Sequence, residues 1–139
     1  DVIEHVESPE QALSNIASCC SLLIANVPLE LSIIDLVRNF LSLGRYFEHQ
    51  EKVLGHIRRY SWSSVRNQFK NHFNCKHFFF WPYAHHLLNR YKNNQIQLSV
   101  IRRLECHFSV IFHLFFPKVS PYVLQGSCFL LLQNKNSIC

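Results

Sequence analysis

Cys75-x-His77, the pair His85-His86 and the neighbours Cys106-His107 are the side chains of this sequence best suited to chemistry, because thiolate and imidazole are the ligand types that zinc prefers. Cys75, His77 and His85 come nearest to a ligand set, but their spacing matches no closed zinc motif. His85 and His86 would point to different sides of a helix, so no metal site is expected; histidines satisfied by backbone carbonyls are the default. A nucleophilic triad is poorly supplied as well. Of the two aspartates, Asp1 is terminal and Asp35 lies in an apolar stretch, and Cys106 and His107 would turn about 100° apart on a helix. With three glycines in the whole chain and no G-x-G-x-x-G, P-loop or H-E-x-x-H pattern, a phosphate-cradling loop is nearly excluded. No cofactor is expected, and little suggests an enzyme.

Charge is the stronger signal. Eight of the nine carboxylates fall in the first 51 residues, leaving a formal charge of −6 there and +11 from Lys52 onward. That asymmetry removes most of the carboxylates that acid/base catalysis would draw on and points to an acidic or anionic partner for the second half. Arg58, Arg59, Arg66, Lys70, Lys76, Arg90 and Lys92 are interleaved with Tyr60, Trp62, Phe69, Phe73, Trp81, Tyr83 and Tyr91. Aromatics at helical spacing read most simply as core and the cations as the wet face opposite. The favoured function is therefore a non-enzymatic helical interaction module, a subunit or an excerpt of a scaffold, that binds a protein partner through exposed apolar and basic surface. Trp62, Phe79 and Trp81 are its expected anchors. The alternative is a nucleic-acid-binding domain using the stretch 58–92, with Arg58, Arg59, Arg66 and Lys70 on phosphates and aromatics on bases. A further alternative is a peripheral binder of an anionic membrane surface, where exposed Phe and Leu beside Lys and Arg fit the interface.

Arg59-Tyr60-Ser61-Trp62 with Val65 resembles the aromatic-Ser-Trp tripeptide that often precedes the last helix of GT-B glycosyltransferases. The resemblance covers only this short stretch, the nucleotide-sugar loop and acidic motif of that family are missing, and no function is carried over from it.

At 139 residues the chain has the length of one ordinary domain, and at 48% hydrophobic against 17% charged it has more apolar side chains than a small surface readily hides. Some apolar surface is expected to be exposed or covered by a partner. The chain has no initiating Met, as expected of a processed product or an excerpt of something longer. Six cysteines at irregular spacing favour buried free thiols over a disulfide framework, and the lack of an N-x-Ser/Thr acceptor leans toward an intracellular setting. The most apolar stretch, His107 to Leu132, is interrupted by Pro117, Lys118 and Pro121, against a membrane span, and no signal peptide is evident.

These residues imply an all-α fold, a small bundle or short helical array, with four amphipathic helices in 8–73 and one or two more toward the C-terminus. Ser8-Pro9-Glu10-Gln11 predicts a capping box and a helix that carries Leu13, Ile16, Ala17, Cys20 and Ile24 to Asn26-Val27-Pro28. Pro28 predicts the start of the next, stopped by Gly44; a third spans Tyr46 to Tyr60 with Gly55 inside it, and Ser61 caps a fourth carrying Trp62, Val65, Phe69 and Phe73. Residues 74–139 form an aromatic-rich, basic part of uncertain order. Cys75 to Trp81 has no helical period, Pro82 predicts a helix start, and length favours a helix over 95–116 ended by Pro117. Phe129 to Leu132 fits helix, strand or disorder. With a single acid in this half, two origins are weighed equally: an apolar core element, or a non-standard reading such as a retained intron or shifted frame.

Overall fold

The computed structural model describes residues 2–136. Their elements run α1 (Pro9–Cys19), β1 (Leu22–Leu29), α2 (Ile33–Leu41), α3 (Arg45–Leu54), α4 (Trp62–Phe69), β2 (Phe73–Pro82), α5 (Tyr83–Lys92), α6 (Val100–Phe115), α7 (Ser120–Val123) and β3 (Gly126–Asn134). The fold is mixed α/β. The expected all-α bundle is overturned by a three-stranded antiparallel sheet in the order β1-β3-β2. β3 and all of β2 but Phe73 lie in the part whose order the sequence left open, and Phe73, expected on the fourth helix, is the first residue of β2.

Each correction has a local cause. The helical spacing of Leu13, Ile16 and Ala17 carries on by coincidence to Ile24, but Cys20 is extended (φ −141°, ψ 146°) and the apolar run that follows becomes β1. Pro28 starts no helix: it sits within β1, which tolerates a missing N–H because it is an edge strand. α2 begins instead at Ser32, whose hydroxyl and the Asp35 carboxylate form a reciprocal capping box. Gly55 is not interior to a helix. It adopts φ 67° as the C-cap of α3, a left-handed turn that suits glycine. Ser8 stands at the N-cap of α1 without a side-chain cap bond, whereas Ser61 makes the expected cap of α4, completed by Ser64.

The central strand β3 alternates strictly, with Cys128, Leu130 and Leu132 buried, and each outer strand aligns a buried residue with it: Val27 and Phe80 both pair with Cys128. Phe73 and Phe80 are both buried although they lie an odd number of residues apart, which in a regular strand would put them on opposite faces. A register shift between Cys75 and His77 absorbs one residue and brings both inside. This inner face, with Leu13 from α1 and Val65 and Phe69 from α4, forms the main core together with Leu29, Tyr60, Trp62 and Leu124. α5 and α6 pack on each other around a smaller cluster of Ala84, Leu88 and Cys106.

Candidate functional site

α6 packs with the less apolar of its two faces inward. Cys106 and Ser109 are its buried residues, and Arg102, Arg103 and Glu105 lie half-buried beside them. Ile101, Leu104, Phe108, Ile111 and Phe115 point outward, between 53% and 80% exposed. Their alternating three- and four-residue spacing is the rhythm of a coiled-coil seam, and Val100 and Leu114 widen the stripe. α2 is turned the same way: Asp35 is its buried residue, while Ile33, Leu36, Val37, Phe40 and Leu41 are exposed.

A polar network holds the helices in this orientation. Asp35 accepts hydrogen bonds from the Ser32 hydroxyl at 2.5 Å and the Tyr46 hydroxyl at 3.0 Å. Tyr46 in turn accepts from Gln50 at 3.0 Å and Gln125 at 3.1 Å. Arg38 donates to Gln125 at 2.9 Å and pairs with Glu105, which also accepts from Arg102 at 2.6 Å. α2, α3 and α6 are therefore joined through ionic and hydroxyl groups, so their apolar residues are left facing out. Burial pushes the Asp35 carboxyl up, opposed by the Ser32 and Tyr46 hydrogen bonds and the Arg38 charge. Burial, with the Asp35 charge adding to it, pushes the Tyr46 phenol up to about 12.

The expected anchors divide. Trp62 is 7% exposed and stacks on Phe78 with ring centroids 4.4 Å apart, a core position rather than a free anchor. Phe79 and Trp81 stand on the outer side of β2, about half exposed, with centroids 5.8 Å apart. The expected phosphate contacts divide as well. Arg58 donates to the Val6 and Glu7 carbonyls, and Arg59 donates to the Phe47 carbonyl at 2.8 Å and pairs with Glu51 at 3.2 Å. Arg66 and Lys70 instead line a groove of about 910 Å³, joined there by Lys118 and Lys135, over a floor that includes Phe69, Phe73, Leu130 and Leu132. Among the described residues no carboxylate lines this groove and none of its four cations is in an ion pair. Lys118 and Lys135 lie far from the other two in sequence, so no local pattern could have gathered them.

Cys75 and His77 lie on β2, and the Cys75 thiol donates to the His77 carbonyl at 3.4 Å. His85 stands on α5 between the rings of Trp81 and His113. The three are not brought into a ligand-sized group; the ligand-type side chains that do converge among the described residues are Glu4, His5 and His56, none of which lines the groove. The thiols of Cys75, Cys106 and Cys128 are not activated. Burial raises Cys75 against the opposing charge of Arg66, raises Cys106, and pushes Cys128 up to about 12, the reverse of a nucleophilic thiolate. Among the described residues no helix is long and apolar enough to cross a membrane. Compared with protein-family models, with curated proteins and with solved structures, the chain matches none.

Proposed function

We propose that this chain is a non-enzymatic interaction module whose outer α6 face docks an apolar-faced helix of a protein partner. The observation that carries this reading is the inverted packing of α6, with Cys106 and Ser109 buried and Leu104, Phe108 and Ile111 exposed. A seam of this rhythm is complementary to another helix through knobs-into-holes packing. Exposed apolar surface on this scale marks an interaction site. A protein partner is favoured over an anionic membrane because Arg102 and Arg103, the cations nearest the stripe, are bonded to Glu105 and the Tyr91 hydroxyl and do not form a free basic flank. A photoreactive residue placed at position 108 tests this in cells. A discrete protein adduct that disappears in Leu104→Glu/Ile111→Glu supports the reading. Adducts with lipid alone, or none that depends on Leu104 and Ile111, refute it.

The groove favours a second reading, a single nucleic-acid strand bound through Arg66, Lys70, Lys118 and Lys135, with the part-exposed Phe78 ring available for stacking. Anisotropy titrations with single-stranded RNA would then show log affinity falling with log salt by about 0.7 per phosphate contacted, and a shallower slope in Arg66→Gln/Lys70→Gln. A salt-independent affinity, or no binding, removes this reading.

A further inference from the structure

The turn at residues 3–5 meets the loop after α3 in a cluster of groups whose valences are not filled by the protein. Glu4 is 1% exposed, yet among the described residues neither of its carboxylate oxygens has a hydrogen-bond partner. A buried carboxylate is heavily penalised unless a cation or several donors compensate it. The His5 Nε2 lies 3.8 Å from Glu4 Oε1, beyond hydrogen-bond range. The His5 Nδ1 contacts the Gly55 carbonyl at 3.0 Å. A carbonyl only accepts, so Nδ1 carries a proton, and Nε2 is the ring nitrogen left facing the Glu4 carboxylate. The buried Glu4 carboxylate thus faces an imidazole nitrogen without a hydrogen bond between them, an arrangement that a shared cation would satisfy.

His56 completes the arrangement. Its Nδ1 lies 2.8 Å from Glu30 Oε1, so it donates to that carboxylate and leaves Nε2 bare, the carboxylate–histidine pairing that orients and enriches a metal-bound imidazole. The His5 and His56 rings meet edge to face, 4.8 Å between centroids. One ligand atom each from Glu4, His5 and His56 lies within 4.8 Å of the others. Tetrahedral zinc with bonds near 2.0 Å needs about 3.3 Å between ligands, so the His5 and His56 side chains would both have to close on Glu4 when the ion binds. The backbone around the cluster is already fixed, because the Glu4 carbonyl accepts from the Ile57 and Arg58 amides at 3.1 Å each. Gly55, left-handed at φ 67°, is the turn that brings His56 back beside His5.

We propose that Glu4, His5 and His56 form a zinc site, with Glu30 positioning His56 and a fourth coordination position open to water. Two imidazoles and one carboxylate are borderline donors that suit zinc better than calcium or magnesium, and three protein ligands leave the open position seen in accessible zinc centres. The site would tie the N-terminal turn to the loop 55–58.

Equilibrium dialysis of the full chain against Zn²⁺, with Co²⁺ absorption as a spectroscopic reporter, tests the assignment. The expected result is one ion per chain and tetrahedral cobalt bands in the visible. His5→Ala, His56→Ala and Glu4→Gln each weaken binding at least tenfold, and Glu30→Gln weakens it by about 10–100-fold as a second-sphere partner does. His77→Ala and His85→Ala leave it unchanged. His5 lies on a half-exposed turn, so His5→Ala keeps the test valid if Glu4→Gln or His56→Ala fails to fold. Wild-type protein that takes up no stoichiometric zinc, or uptake that persists in His5→Ala and is lost in His77→Ala, overturns the proposal.

Discussion

The Tyr46 hydroxyl donates to Asp35 Oδ1 at 3.0 Å, tying the start of α3 to the buried residue of α2. The same oxygen accepts from Gln50 and Gln125, so it is a node rather than a single link. Tyr46→Phe keeps the ring and removes the node, leaving donors of two glutamines and part of a buried carboxylate unmatched. The expected cost is about 1–3 kcal/mol, read as a lower urea midpoint at unchanged slope. An unaltered midpoint would show that water substitutes freely and that the network does not hold these helices.

The raised Asp35 carboxyl sets a pH dependence of definite sign. Its folded-state value lies above that of the unfolded chain, about 3.9, so between the two the native state binds more protons. Its contribution to stability is therefore fully present below the unfolded value and is lost as pH rises through the folded value. Denaturation midpoints measured across this window should fall with rising pH in the wild type, relative to Asp35→Asn, which has no proton to lose. A difference between the two that grows in the opposite direction would mean that Arg38 and the hydroxyls outweigh burial.

Much of the helical punctuation was legible because it is written in neighbouring residues. Ser61 before α4, Pro82 before α5 and Pro117 after α6 each act within one turn. The sheet was not legible for the converse reason. Its inner face depends on Cys128 standing opposite Val27 and Phe80, pairings made across the fold. In β2 the bulge near Lys76 breaks the alternation that would have revealed a strand. The helical spacing of Ile101, Leu104, Phe108, Ile111 and Phe115 pointed to the element and said nothing of its environment, since periodicity says that a helix has an apolar face but not whether this chain covers it. The Glu4–His5–His56 cluster had no signal at all, because His56 arrives from beyond the far end of α3.

Gly126 occupies the first position of β3 for want of space. A Cβ there would run into the Trp81 carbonyl and come within 2.6 Å of the Phe80 ring. Its φ is not in the left-handed region, so the constraint is the close approach of β2 rather than backbone strain. Gly126→Ala must displace the Pro82–Gly126 end of the ladder, at a cost of about 1–3 kcal/mol as for other overpacked sites. Amide exchange would locate the damage: faster exchange at Tyr83, whose amide donates to Gln125 at 3.0 Å, with β1 pairing retained. Protection equal to wild type at Tyr83 would contradict the steric account.

The inverted packing of α6 makes a prediction opposite to that for an ordinary amphipathic helix. If Leu104 and Phe108 belonged to the core, replacing both with Gln would cost several kcal/mol, in the range seen for large buried side chains. Because both are more than half exposed, Leu104→Gln/Phe108→Gln should change the unfolding free energy by less than about 0.5 kcal/mol per site and raise solubility. Ser109→Leu should do the reverse. Its hydroxyl donates to the Glu105 carbonyl at 2.9 Å in a buried position, so the added bulk meets α5 at a cost of about 1–3 kcal/mol, although Ser-to-Leu is the more hydrophobic change. Chemical denaturation of the two variants side by side decides the helix orientation, and with it whether this stripe is available to a partner. A costly double Gln variant beside a tolerated Ser109→Leu would turn the helix over and close the proposed docking face.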